Sequence, residues 1–362
     1  MTFDAVLLAS FGGPEGPDEV APFLERVTAG RGVPRERLEE VSRHYLALGG
    51  VSPINAQNRE LLEHLRAQMT GRGIDLPIYL GNRHSAPYFA DALREIHAAG
   101  RSEVLAIATS AYSSYSGCRQ YRENLAAALA ETGLAGDLSI SKVRPYFDRF
   151  GFVQPFAQGI ADALTALADQ GFNADATHIL FTTHSIPESM SASSGPEISR
   201  EADGPGLYER QHVHAARRAI REAVSITGTS APQWSLVFQS RSGPPTMAWL
   251  EPDIRDALKA AAADGTRAVI IVPVGFVSDH VEVVWDLDTE ARAQADGLGL
   301  TLIRVATPGT SPAFVGALVD LIAEAAMPGP STEMVHDANW ANLCSGTCCP
   351  NARADLPVVA GT

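Results

Sequence analysis

The sequence predicts an α/β protein of two similar doubly wound domains, each with a four-stranded parallel sheet and flanking helices, followed by a C-terminal extension. Short apolar runs alternate with Ala-, Glu- and Arg-rich stretches of helical spacing, a pattern typical of parallel sheets covered on both faces. The eight runs divide evenly between the two halves of the chain and lie at 5–11, 77–80, 104–109, 138–143, 178–183, 235–239, 268–274 and 300–305.

Helical spacing between these runs is clear at 123–131, 209–223 and 254–263. Another helical stretch, 152–170, lies between the halves and is expected to bridge them. We therefore expect a first domain at 1–160, a second at 161–310 and an extension at 311–362. The extension should hold a last helix at 312–326 and an irregular tail that packs back on the first domain.

The composition and the charge of the chain limit the classes of function that it can have. With 362 residues, 45% hydrophobic and 19% charged, the chain has the make-up of a soluble globular protein. Its net charge of −14 argues against nucleic acid or an anionic membrane as the main partner. The first apolar run follows Met-Thr-Phe with no basic region, and no run reaches the roughly 18 apolar residues of a spanning helix. We expect a cytoplasmic protein without an integral membrane segment.

Three carboxylates follow the buried run at 268–274. Glu282, Asp286 and Glu290, here called the acidic row, are spaced by four residues and should share one face of an α-helix. A solvated acidic face at a helix start would have the same spacing. The alternative is that the three carboxylates interact with a cation.

His184 follows the buried run ILFTT and should sit at the carboxyl edge of the second sheet, where ligands bind in open parallel sheets. Alone, such a histidine is more often a packing residue. Opposite Glu282, which follows another run of the same half, its imidazole could take protons or hold a divalent metal.

Five segments carry a resemblance to a known family, in family order and across most of the chain. They are LLASFGGPEGPDEV at 7–20, YLALGGVSPINAQ at 45–57, TTHSIPES at 182–189, FQSRSGPPTMAWLEPDI at 238–254 and VPVGFVSDHVEVVWDLDTE at 272–290. The sequence resembles the ferrochelatases, which insert Fe²⁺ into a porphyrin during haem synthesis, and most closely their actinobacterial members.

The resemblance implies two Rossmann-like domains around a porphyrin cleft, with His184 and Glu282 as the catalytic pair and as iron ligands. Asp286 and Glu290 match an acidic ridge and would guide the incoming ion. The chemistry fits these residue types, because a porphyrin must lose two pyrrole protons and accept a dication from ligands that hold iron loosely. Whether His184 is mainly base or mainly ligand stays open.

Four residues are candidates for the porphyrin side of the site. Ser52 and Tyr121 match carboxylate-binding positions of relatives, and the guanidinium of Arg43 could bind a further carboxylate. Phe11 replaces a tyrosine that some relatives place near the metal. Because phenylalanine cannot ligate iron, ring packing against the macrocycle is its expected role.

The four cysteines stand at 118, 344, 348 and 349, and clustered thiols in a cytoplasm favour metal over disulfide. Cys118 with Cys344, Cys348 and Cys349 resembles the one-plus-three arrangement that holds a [2Fe-2S] cluster in some ferrochelatases. Structural Zn²⁺ and uncommitted thiols are the alternatives.

The resulting expectation is conversion of coproporphyrin III to Fe-coproporphyrin III (coproheme), with porphyrin and ferrous iron as partners. Protoporphyrin IX as substrate, a sirohydrochlorin-type cobalt or nickel chelatase, and a haem or iron carrier are the alternatives. We expect a monomer, with other haem-pathway enzymes as potential partners.

Overall fold

Two parallel sheets form, the first from strands of the first half and one short C-terminal strand, the second from strands of the second half. The computed structural model describes residues 3–30, 32–200, 204–243, 246–326 and 344–361; of the expected tail, 327–343 therefore lie outside the described residues. The described strands are β1 (Ala5–Ser10), β2 (Ile78–Asn82), β3 (Glu103–Ala108), β4 (Ser139–Lys142), β5 (Thr177–His184), β6 (Gln233–Gln239), β7 (Ala268–Val272), β8 (Thr301–Arg304) and β9 (Ala360–Gly361).

Helices cover both faces of the sheets. They are α1 (Pro17–Thr28), α2 (Arg35–Ala47), α3 (Ile54–Gly71), α4 (Phe89–Ala98), α5 (Gln120–Thr132), α6 (Phe150–Asp169), α7 (Glu188–Ala192), α8 (Leu207–Thr227), α9 (Ile254–Ala263), α10 (Val281–Val283), α11 (Arg292–Gly297) and α12 (Pro312–Ala326). Two segments, Tyr115–Arg119 and Val284–Ala291, are π-helical. The helices that the sequence predicted at 123–131, 152–170, 209–223, 254–263 and 312–326 are present.

The strand order is β2-β1-β3-β4-β9 in the first sheet and β6-β5-β7-β8 in the second. The eight predicted strands are confirmed and the first four of each sheet are arranged alike, but the count of four was wrong for the first sheet. There β9 adds a fifth strand, pairing Ala360 with Ser141 and Gly361 with Lys142. A strand of two residues carries no apolar run, so periodicity could not reveal it.

One apolar core runs through both halves. It joins side chains of both sheets around α6, whose Phe152 and Phe156 are fully buried. Helix α12 packs on α6 and α3, and Arg149 at the start of α6 donates to Glu324 of α12 at 2.7 Å. The last helix is thus anchored on elements of the first half, while the domain boundaries themselves stay predictions.

The topology also positions the site. In the second sheet the chain passes from β5 to β6 on one side and then to β7 on the other, and ligands of open parallel sheets bind beyond the strand ends at such a switch. His184 is the last residue of β5. No described helix has both the length and the apolar character needed to cross a bilayer.

Candidate active site at the edge of the second sheet

His184 and Glu282 face each other at this edge. The His184 Nε2 atom lies 3.6 Å from a carboxylate oxygen of Glu282, and the side chains are 35% and 41% exposed, so both can be reached from outside. The Nδ1 atom lies 2.5 Å from the backbone oxygen of Ser185. Because a carbonyl oxygen only accepts, Nδ1 carries the ring hydrogen of the neutral imidazole. The free lone pair of His184 therefore sits on Nε2, on the side of Glu282.

The acidic row does not lie on one α-helix, since Glu282 belongs to α10 whereas Asp286 and Glu290 belong to a π-helical segment. After α10 the chain forms the π-helical segment Val284–Ala291, and α11 follows directly. The predicted α-helical spacing was therefore wrong in detail, because a π-helix bonds each residue to the fifth one along instead of the fourth. π-Helical turns are rare and occur frequently at functional sites.

Asp286 is the most constrained member of the acidic row. Ser240 donates its hydroxyl to Asp286 Oδ2, and Gln239 donates its amide to the same atom at 3.2 Å. Ser240 adopts φ +59°, which is uncommon for a residue other than glycine, so the backbone is held to deliver that hydroxyl. Burial raises the pKa of Asp286 to about 6, and the neighbouring carboxylates of Glu282 and Glu290 add to the rise against the lowering effect of Ser240.

Glu290, the last member of the row in the chain, is held by two partners. Trp285 donates its indole N–H to one oxygen at 2.9 Å, and the Arg255 guanidinium lies 3.5 Å from the other. The ring of His44, from α2 in the first half, stacks on Trp285 at 4.3 Å and 10°. A cation that reaches Glu290 therefore competes with Arg255.

Two groups that the sequence did not single out lie beside His184 and Glu282. His280, directly before α10, is close enough to His184 for their charges to interact, and burial lowers its pKa. Tyr45 of α2 lies near Glu282, and burial raises its pKa well above the usual range. Its ring packs with Val281 in one apolar cluster, which brings α2 against the helix that carries Glu282. Of these two groups, only His280 could have been found from the sequence, because it lies two residues before Glu282.

On the expected porphyrin side, Phe11 and Ser52 lie at the edge of the first sheet. Phe11 follows β1 and is half-buried, with its ring 4.6 Å from that of His84. Ser52 is 3% exposed and is packed under the loop after β1, since a Cβ at Gly13 would lie 2.5 Å from its own Cβ. Its backbone N–H donates to Pro14 at 2.8 Å.

The other two candidates differ sharply in exposure. Tyr121 is 3% exposed and belongs to an apolar core cluster of the first half, with the Arg83 guanidinium 4.9 Å above its ring. Arg43 is exposed on α2. Tyr121 can thus offer no broad surface to a ligand, while Arg43 is free to reach one; the binding roles of all four stay predictions.

The four cysteines form one cluster, and their role as ligands stays a prediction. Cys118, in the π-helical turn after β3, contacts the thiols of Cys344 and Cys349, and Cys348 contacts the same two. The thiols thus form a closed ring, and Cys118, Cys348 and Cys349 are buried. Among the described residues, no three or more His, Cys, Asp or Glu side chains are placed so that together they could hold a metal ion. The ring is therefore a contacting set of thiols and not a finished ligand shell.

Two of the four thiols in this ring have lowered pKa values. Hydrogen bonds from Cys344 and Cys349 hold the pKa of Cys118 well below its usual range, helped by the charges of Lys142 and Arg122. Hydrogen bonds from the same two thiols lower the pKa of Cys348 to about 4. Donors and acceptors thus alternate around the ring, since the pKa values of Cys344 and Cys349 are raised.

A backbone donor from the second half completes these surroundings. Gly195, which follows α7, donates its N–H to the Cys349 sulfur at 3.1 Å and accepts from the Cys349 N–H at 3.2 Å. Cys349 itself adopts φ +52°. Two bonds to one residue hold this uncommon conformation, so the sulfur is fixed in place.

Comparison with known proteins decides the family. The family model described as Ferrochelatase matches residues 3–326. The chain belongs to the ferrochelatase family. Two curated relatives are each named coproporphyrin III ferrochelatase: that of Leifsonia xyli is 49% identical over 100% of this chain and 95% of its own, and that of Streptomyces coelicolor is 52% identical over 99% and 96%.

More distant proteins also match. The Tropheryma whipplei protein, again named coproporphyrin III ferrochelatase, is 46% identical over 99% of this chain and 92% of its own. Among solved structures, SirB from Bacillus subtilis with Fe³⁺ covers 89% of this chain and 95% of its own, with a TM-score of 0.49 and 10% identity. The family model and the curated relatives confirm the resemblance to ferrochelatases that the sequence motifs carried.

Proposed function

We propose that this chain inserts Fe²⁺ into coproporphyrin III and forms Fe-coproporphyrin III in haem biosynthesis. Relatives with this name align over nearly the whole chain at about 50% identity, and the chain belongs to their family. The observation that carries the mechanism is the pair formed by His184 Nε2 and the Glu282 carboxylate at 3.6 Å.

The pair supplies what the reaction requires. A free-base porphyrin must lose two pyrrole protons as the dication enters. In the neutral imidazole of His184 the lone pair is on Nε2, because Nδ1 donates its hydrogen to Ser185, so Nε2 can accept a proton or bind Fe²⁺. Glu282 adds a negative charge that stabilises either the imidazolium or the metal ion. Together, imidazole and carboxylate form a weak site from which iron can be released.

The acidic row supports delivery of the ion to this pair. Asp286 and Glu290 follow Glu282 in the chain and would give an iron dication successive carboxylate partners. On the substrate side, Arg43 is proposed to meet a propionate, Phe11 to pack on the macrocycle, and Ser52 and Tyr121 to contribute their hydroxyls. Coproporphyrin III carries four carboxylates, so exposed cations such as Arg43 matter more than for a dicarboxylic porphyrin.

Turnover assays test the proposal. Wild-type protein is mixed anaerobically with Fe²⁺ and, separately, with coproporphyrin III and protoporphyrin IX, and metallation is followed by absorption. We expect faster turnover with coproporphyrin III. His184→Ala should abolish insertion and keep porphyrin binding, whereas His64→Ala, at an exposed position on α3, should leave turnover within about twofold.

Each alternative predicts its own result. Preference for protoporphyrin IX would correct the substrate. Insertion of Co²⁺ or Ni²⁺ into a sirohydrochlorin ring alone would indicate another chelatase. Stoichiometric binding without turnover would indicate a carrier. A His184→Ala variant with near-normal turnover would remove His184 from the mechanism.

We propose, second, that the four cysteines hold a [2Fe-2S] cluster. Four thiols in mutual contact, two of them favoured as thiolates, match the four ligands of such a cluster. The N–H of Gly195 on the Cys349 sulfur and the positive charges of Lys142 and Arg122 would stabilise its negative charge. Bound iron would fix the tail on the first half.

Colour and metal content test this assignment. Protein purified without oxygen should absorb in the visible range and contain two iron and two sulfide per chain. Cys349→Ser should lose both. A colourless protein with one zinc per chain would establish the zinc alternative, and a protein free of both metals would leave uncommitted thiols.

A further inference from the structure

A buried polar group lies directly behind His184. Thr183, Tyr208 and His212, here called the Tyr208 network, are 1%, 6% and 0% exposed. Thr183 Oγ1 lies 2.7 Å from the Tyr208 hydroxyl and 2.9 Å from His212 Nε2. The Tyr208 hydroxyl also donates to the backbone oxygen of His184 at 2.9 Å. The network therefore ends on the catalytic histidine.

The hydrogens of this network can be counted. His212 Nδ1 lies 2.7 Å from the backbone oxygen of Tyr208, which only accepts, so Nδ1 carries a hydrogen. Burial lowers the pKa of His212 to about 3, so at neutral pH its Nε2 accepts from the Thr183 hydroxyl. The Tyr208 hydrogen must then serve two acceptors, Thr183 Oγ1 and the carbonyl of His184. Three contacts share two hydroxyl hydrogens.

The first half of the chain holds the network from the other side. The ring of Tyr112 stacks on His212 at 3.5 Å and 13°, and its hydroxyl donates to Val274 beyond β7 at 2.8 Å. Gln211, which directly precedes His212 in α8, accepts from the backbone N–H of Ser113 at 2.7 Å and donates to the Ser113 hydroxyl at 2.9 Å. Because these contacts fix the first turns of α8, the Tyr208 hydroxyl has little freedom to follow a displaced strand end.

We propose that Tyr208 is a positioning residue for iron insertion: its hydroxyl holds the carbonyl of His184, and so sets the direction of the imidazole toward Glu282, while His212 draws on the same hydrogen through Thr183. The proposal rests on the proposed function of His184 and Glu282. Tyr208 itself is buried and contacts no reacting atom. Its effect should therefore fall on the chemical step and not on substrate binding.

Tyr208→Phe tests the proposal, because it removes one hydroxyl and keeps the ring. We expect kcat to fall about tenfold, with KM for porphyrin and for Fe²⁺ within about twofold of wild type. The matched control is Tyr146→Phe. Tyr146 is 2% exposed and donates to the carbonyl of Ala108 at the end of β3 at 2.9 Å, the same kind of bond at the other sheet. Its removal should leave kcat within about twofold.

His212→Leu gives a second, independent comparison. Without the acceptor Nε2, Thr183 can donate to Tyr208, and Tyr208 can donate fully to His184. His212→Leu should therefore lower kcat less than Tyr208→Phe, although it removes a more deeply buried polar group. A purely structural role predicts the reverse order.

The outcomes are separable. Equal kcat losses in Tyr208→Phe and Tyr146→Phe, or a change confined to KM, would overturn the positioning role. If His212→Leu does not fold, the pair of tyrosine variants decides alone. Wild-type protein that inserts no iron would instead overturn the proposed function.

Discussion

Asp286→Asn should make the protein more stable at neutral pH and not at acid pH. Burial raises the pKa of Asp286 from 3.8 to about 6, so the folded protein binds more protons than the unfolded chain between these values. Folding stability therefore falls as the pH rises through this window. A shift of this size corresponds to about 3 kcal/mol. Asparagine keeps an oxygen for the hydroxyl of Ser240 but does not titrate, so the variant does not lose this stability as the pH rises.

The assay is thermal unfolding in the presence of a metal chelator from pH 4 to pH 8. The melting temperature of Asp286→Asn minus that of wild type should rise by about 4 °C across the series if the chain unfolds as one unit. Asp296→Asn, at an exposed position of α11, is the control and should give a constant difference. A difference for Asp286→Asn that does not change with pH would refute the argument that its carboxylate is destabilised by burial.

Three further changes give direct tests. Gly275→Ala would place a Cβ 2.8 Å from the Cα of Thr183, directly before the proposed catalytic residue His184, so kcat should fall more than about tenfold in turnover assays. Arg255→Met removes the cation beside Glu290, and KM for Fe²⁺ should fall about threefold at low salt with kcat unchanged. Arg149→Met breaks the ion pair to α12 and should lower stability by about 1–3 kcal/mol in thermal unfolding, without an effect on KM.

The strands were predictable because each buried parallel strand needs an unbroken apolar run. β7 is wholly buried, and its five residues lie inside the predicted run at 268–274. The same reasoning located His184, because polar side chains that follow such runs meet at one edge of a sheet. Its 3.6 Å distance to Glu282 required the structure, since periodicity places a residue at an edge but gives no side-chain direction.

The helix after β7 shows where the local pattern misleads. A spacing of four residues in the acidic row predicts an α-helix, and the structure has a π-helical segment there instead. Hydrophobic spacing cannot separate the two, because Val283 and Leu287 still pack against the same core while the backbone bonds shift by one residue. The partners of the acidic row, such as Arg255, come from another helix and leave no trace in the local sequence.

The Tyr208 network was hidden for a similar reason. Tyr208 and His212 are spaced by one helical turn, which signals a shared face and nothing about their neighbours. Their partner Thr183 belongs to a strand, and Tyr112 comes from the other half of the chain. Buried polar groups of this kind become visible only when distant elements are brought together, because their partners are chosen by the fold and not by spacing.

The cysteine ring shows how a distant segment can bear on the site without taking part in the reaction. Iron is Fe²⁺ both before and after its insertion into a porphyrin, so the reaction requires no electron from a cluster. Gly195 lies eleven residues after His184 in the chain and is bonded in both directions to Cys349, which contacts Cys118 in the first half. The ring thus joins the tail, the segment after His184 and the first half. A metal that closed the ring would stabilise this junction, and its loss should loosen the junction before it alters the chemistry at His184.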